Sequence, residues 1–173
     1  MISYIDRFII HFASLRNTLL LLFIFLAFNF AVFPFLIPEN STVKPLDLQY
    51  LYTAEQAYSN LEQMSPAERK TYLIAECTVD VIYPLVYTLM LCFSIFLLYQ
   101  NLSLSKLPIL ILVADFIENA GILQLLRKYP EQWNMLANFT GVVSAVKWLL
   151  ALIAVILTLL GLVKLIRKTM FRE

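Results

Sequence analysis

Asp80, Asp115, Glu118 and Lys147 each interrupt a long apolar stretch of this chain. An ionisable group near the middle of a bilayer costs at least about 2.5–3.5 kcal/mol by insertion scales, so each one calls for a partner or a purpose. Together they offer acid–base chemistry. One amine can pair with one carboxylate, which leaves two acids without a cation. Like charges in a low dielectric cannot all ionise, so at least one of Asp115 and Glu118 is expected to keep its proton. A carboxyl of that kind can serve as a general acid, a proton-coupling site, or a donor to a lipid headgroup. The competing reading is a buried Lys147–carboxylate network that fixes helix register and does nothing more. The excess of acids over cations favours a function. The three carboxylates would also suit a hard cation. Their spacing matches no metal motif, so no metal site is assigned and no cofactor is expected.

The residues around these four repeat at helical spacing. Glu76, Asp80, Tyr83, Tyr87 and Ser94 follow steps of three, four and seven, which places them on one face. Pro84 lacks the amide that would bond the Asp80 carbonyl, so a kink and a free acceptor are expected beside the carboxylate. Asp115, Glu118 and Asn119 share a face as well. Thr140, Ser144, Lys147, Ala151, Thr158 and Gly161 form a small and polar stripe suited to close helix approach. The expected pocket has Asp80, Asp115, Glu118 and Lys147 as its reactive core. Tyr83, Tyr87, Asn119, Ser144 and Trp148 would bind the ligand. Counted inward at about 1.5 Å per residue, the four charged groups fall roughly 8–17 Å from the outer helix ends, within one layer.

Composition says what must position them. The 173 residues are 61% hydrophobic and only 14% charged, with a mean hydropathy of +0.77. A soluble domain carries about 25% charged residues to face water, so lipid is the solvent for much of this surface. A net charge of +1 argues against a nucleic-acid partner. Four spans are expected, at about 17–37, 74–99, 107–126 and 140–166, within a single integral membrane domain of residues 1–173. Residues 1–14 alternate Ser3, Asp6, Arg7, His11 and Ser14 with Ile2, Ile5, Phe8, Ile9 and Phe12, the pattern of an interfacial helix. PFLIPENS, after the first apolar run, lacks a small-x-small cleavage site, so that run reads as an uncleaved anchor.

Between the first two spans lies the one sizeable polar segment. Thr53-Ala54-Glu55-Gln56 and Ser65-Pro66-Ala67-Glu68 read as capping boxes that open two helices. The second of these is expected to run unbroken from Pro66 to about Tyr99. The fold class is therefore all-α: a four-transmembrane-helix bundle with an N-terminal interfacial helix and an extracytoplasmic helical hairpin between helices 1 and 2. Cys77 and Cys92, fifteen residues apart, would stand about 22 Å from each other along a helix, too far to bridge. His11 is the sole histidine, which excludes a multi-histidine metal site. Orientation follows Lys and Arg counts near the spans. Arg7, Arg16, Lys106, Lys164, Arg167, Lys168 and Arg172 would share one side, against Lys44, Arg69, Lys70, Arg127 and Lys128. Both termini are expected in the cytoplasm.

The stretches YTAEQAYSNLEQMSPAERKTYL, DVIYPLVY, LPILILVADFIENAGILQLLRKYP and VKW resemble a family of small bacterial four-helix integral membrane proteins. The likeness runs from Tyr52 to Trp148 and rests on Asp80 with Tyr83-Pro84, Ala114-Asp115 with Glu118-Asn119, and Lys147-Trp148. It implies the same bundle in a bacterial inner membrane, and no particular activity. The patterns of CDP-alcohol phosphotransferases and of emopamil-binding proteins do not fit. The functional expectation is a membrane-embedded polar pocket, open to the outer leaflet, that binds or modifies a lipid or another amphipathic small molecule. Alternatives are a proton-coupled transporter or channel subunit, which would need a homodimer, and a structural or assembly protein with a membrane-protein partner. Whether the chain is an enzyme stays open at this level.

Overall fold

The computed structural model describes residues 3–36 and 43–170, and every regular element among them is helical. In chain order these are α1 (Tyr4–Phe12), α2 (Leu15–Ala27), α3 (Phe33–Leu36), α4 (Ala54–Gln63), α5 (Pro66–Cys77), α6 (Val79–Tyr99), α7 (Leu102–Ser105), α8 (Leu107–Lys128) and α9 (Asn134–Met170). A π-helical turn, Phe28–Val32, joins α2 to α3, and a 3-10 turn, Leu46–Leu48, precedes α4. Among the described residues, four runs are long and apolar enough to cross a membrane: Leu15–Phe35, Val79–Tyr99, Leu102–Lys128 and Asn134–Met170. That is the makeup of an integral membrane protein. The far end of the first expected span, Ile37, lies outside the described residues.

Local chemistry sets several of these boundaries. Thr53 and Ser65 both cap their helices reciprocally, with Gln56 and Glu68 reaching back to the cap amides. The π turn ends just before Pro34, whose ring displaces the carbonyl four residues back and widens the helix there. The unbroken helix expected from Pro66 to Tyr99 does not form, and α6 starts at Val79 rather than Ile74. Thr78 leaves the helical region at φ −127°, ψ −77°. Its hydroxyl takes the Ile74 carbonyl at 2.7 Å, and its amide shifts to the Ala75 carbonyl at 3.0 Å. A threonine that satisfies a carbonyl with its own side chain frees the backbone to turn. Gln100, at φ 51°, ends α6 in the left-handed region.

Packing divides the molecule into two apolar clusters. In one, Leu46, Tyr52, Ala57, Leu61 and Tyr72 of the hairpin segment pack on Ile122 and Leu125 of α8 and on Ala137 of α9. In the other, Leu91 and Ile95 of α6 meet Ile111 of α8 and Ala154 of α9. Asp115, Glu118 and Lys147 lie between the two clusters along α8 and α9. Glycine permits the tightest crossings: a Cβ on Gly121 would stand 2.2 Å from the Thr140 hydroxyl, and one on Gly141 would stand 2.0 Å from the Tyr52 carbonyl oxygen. By contrast α2 buries none of its residues and packs chiefly on α6.

Helix α1 docks on the bundle more firmly than an amphipathic pattern alone implies. Ile9 is buried, Phe8 stands 6.2 Å from Phe93 ring to ring, and Asp6 turns inward to an ion pair with Lys106 at 2.8 Å. The hydrogen bond from Lys106, reinforced by Ser3, holds the Asp6 carboxyl at about 2, below its ordinary 3.8. A lowered folded value means that the contact stabilises docking above the ordinary value and is lost as pH falls through the folded one. The protection of Tyr4–Phe12 amides, taken relative to their unstructured exchange rate at each pH, should therefore hold from neutral pH down to about 4 and fall as pH approaches 2. Asp6→Asn should remove that pH dependence.

Candidate functional site

A cavity of about 330 Å³ opens between α2, α6, α8 and α9, closed on the hairpin side by Asp47 and Leu48. Lys147 is its electrostatic centre. Its ammonium pairs with the Glu118 carboxylate, lies 4.0 Å from Asp115 Oδ2, and donates to the Asp47 backbone carbonyl at 3.3 Å. It also sits 5.5 Å from the Trp148 ring centroid, within reach of a cation–π contact. From the opposite wall the Tyr87 phenol donates to Asp115 Oδ2. Three helices thus close one acid–base cluster, α6 through Tyr87, α8 through Asp115 and Glu118, and α9 through Lys147.

Pro84 has the consequence expected of it at the Asp80 carbonyl, and a neighbouring helix answers it. Asn119 Nδ2 of α8 donates to that carbonyl at 2.7 Å, replacing the amide that proline lacks. This bond ties α6 to α8 beside the Asp80 side chain. Tyr83, one turn on, stacks on Phe25 at 5.5 Å and accepts from Asn29 Nδ2 at 3.1 Å. Asn29 sits in the π turn and also donates to the Phe25 carbonyl at 2.7 Å. The wide turn and its asparagine therefore aim a polar group into an otherwise apolar wall.

Seven of the nine residues singled out in the sequence line this cavity: Asp80, Tyr83, Tyr87, Asp115, Asn119, Lys147 and Trp148. Glu118 and Ser144 do not. Glu118 is 0% exposed and stands behind Lys147 as its counter-ion. Ser144 donates to the Gln49 carbonyl at 2.6 Å, pinning the segment before α4 onto α9. Sequence reasoning missed Asp47 and Asn29. Asn29 carried a usable signal, a lone amide in an apolar span. Asp47 carried none, because it belongs to a polar segment whose return over the bundle is a tertiary event. Its carboxylate accepts from the Tyr72 phenol at 2.8 Å. Glu76, 3% exposed, is left with neither oxygen hydrogen-bonded among the described residues, since Tyr72 gives its proton to Asp47.

A larger hollow of about 800 Å³ lies at the hairpin surface, lined by Glu55, Tyr58, Glu62 and Asn134 among others. It is the more open of the two, and neither Lys147 nor any of Asp80, Asp115 and Glu118 lines it, so the cavity between the helices is the candidate site. No family model, curated protein or solved structure matches the chain, and the site is read from its geometry alone.

Removing one partner of a buried ion pair strands the other, at a cost of about 3–5 kcal/mol. Lys147→Met should lower stability by that order, whereas Lys147→Met combined with Glu118→Leu should recover most of it. Thermal unfolding in detergent, run as a double-mutant cycle, measures the coupling.

Proposed function

We propose that this cavity holds a lipid or another amphipathic small molecule that enters sideways from the bilayer. One observation carries the reading. Trp148, Ala151 and Val155 line both the polar cavity and a neighbouring groove of about 520 Å³, whose other walls are Tyr50, Leu149 and Leu152. A charged pocket continuous with an apolar groove on a lipid-facing helix matches a polar head joined to a chain. The acids and the lysine then sit where the head would rest, in position to hold it or exchange protons with it. The partner is a membrane lipid or a molecule like one, and nothing in the charge distribution favours nucleic acid.

In this reading α1 lies in the headgroup region, with Tyr4, Ile5, Ile10 and Phe12 exposed to the interface. The orientation proposed is that of both termini in the cytoplasm and the α4–α5 hairpin outside, in a bacterial inner membrane. Its support is that basic residues gather at one end: Lys106 pairs with Asp6 of α1, and Gly161, just before the basic tail of α9, packs on Leu98 and Tyr99 at the end of α6.

Proton-coupled transport is a second reading, favoured by the linked contacts Tyr87–Asp115 and Lys147–Glu118, which cross from α6 through α8 to α9. Four helices leave little room for a solute path, so it would require a second copy of the chain. Proton uptake by reconstituted liposomes, abolished by Asp115→Asn, separates it from the lipid pocket.

Ala151→Phe places a ring at the junction of cavity and groove. It should cost no more than the roughly 1–3 kcal/mol usual for overpacking, since Ala151 packs on the Leu91–Ile95 cluster but also borders the cavity and the groove. Mass spectrometry of the purified variant should show the co-purifying amphiphile reduced at least several-fold. Unchanged occupancy would remove the lateral route.

A further inference from the structure

The polar atoms of the cavity divide unequally between donors and acceptors. Lys147 is committed to Glu118 and the Asp47 carbonyl, with Asp115 beside it. Tyr87 is committed to Asp115, and Asn119 Nδ2 to the Asp80 carbonyl. What remains unsatisfied is mostly acceptor. The Asp80 carboxylate makes no hydrogen bond or ion pair among the described residues. Asn119 Oδ1 has no donor either, although its side chain is 7% exposed and lines the cavity. A buried acceptor left unpaired costs about 1–3 kcal/mol, which a ligand donor would return. Among the described residues that line the cavity, the one free donor is the Trp148 indole N–H.

Charge points the same way. Asp47, Asp80 and Asp115 line the cavity against Lys147 alone, and Lys147 already has Glu118 behind it. The remaining walls include the aromatic rings of Phe25, Tyr83, Tyr87 and Trp148. Aromatic faces attract cations, and unneutralised carboxylates repel anions. We infer that the ligand's head is an ammonium group: Asp80 is its counter-ion, Asn119 Oδ1 accepts one of its N–H bonds, and the aromatic rings surround it. The inference rests on the amphiphile pocket proposed above and names the chemistry of its head. A phosphate, sulfate or carboxylate head would face Asp47, Asp80 and Asp115, with Lys147 already paired to Glu118 and one indole N–H to receive it.

The test is competitive native mass spectrometry of the full chain in one detergent, with four probes. They are tetradecylamine, lysophosphatidylethanolamine, tetradecanol and tetradecyl phosphate. Tetradecylamine should bind roughly ten-fold or more tightly than tetradecanol, and tetradecyl phosphate should not compete. Binding by tetradecylamine alone assigns a simple amine, and binding by the aminolipid as well assigns a lipid headgroup; both support the inference. Asp80→Asn should abolish the preference for the amine while tetradecanol still binds. Equal binding of amine, alcohol and phosphate would overturn the ammonium head and leave the pocket standing. Failure of every probe would remove the pocket, and the inference with it. Because the probe series runs on the unaltered protein, a variant that does not fold leaves the comparison intact.

Discussion

The Lys147 ammonium is the interaction on which the rest depends. It is the one cation at the centre of a layer that holds Asp115 and Glu118, with Asp47 and Asp80 facing the same space. In lipid, hydrophobic burial gives helices little reason to prefer one neighbour over another, so polar contacts and close packing select the partners. Lys147 links α9 to α8 and, through the Asp47 carbonyl, to the segment that covers the bundle. Gly121 and Gly141 supply the close approach that brings these groups within reach. Apolar clusters above and below then exclude water from the pair, which strengthens the attraction and raises the cost of any unpaired acid.

That cost is distributed unevenly. Glu118 and Asp115 are answered by Lys147 and Tyr87, and the Asp80 carbonyl by Asn119. Among the described residues, the Asp80 carboxylate and the Asn119 carbonyl are not answered. A network built only to fix helix register would gain by satisfying every member, or by replacing the unpaired acid with an apolar residue. Unsatisfied acceptors gathered along one cavity wall, beside a lipid-facing groove, are what supports a binding reading over a purely structural one.

Much of the layer was legible in the sequence because charge in an apolar span is costly, and helical spacing then says which residues share its face. Asp80, Asp115 and Lys147 stand out on that ground alone, and Pro84 reveals the orphaned carbonyl of Asp80. The pairing within the layer was not legible. Glu118 and Asp115, three residues apart, are equally near neighbours of any facing lysine, and the choice between them depends on side-chain geometry. The break at Thr78 was hidden because no Gly or Pro marks it, and the competition of its hydroxyl for the Ile74 carbonyl accompanies the turn of the chain. Asp47 joins the site through a loop that returns over the bundle. No local pattern encodes such a return.

In the proposed complex a polar head sits among these acids while its chain leaves along α9. Photocrosslinking with an alkylamine carrying a diazirine near its tail, in bilayers, followed by peptide mapping, measures this directly. Adducts are expected to concentrate at Leu149, Leu152 and Val155, the groove that continues the cavity, and to be suppressed by unlabelled amine. Adducts spread over the exposed face of α2 at Leu19, Leu20 and Phe23, and unaffected by competitor, would contradict it.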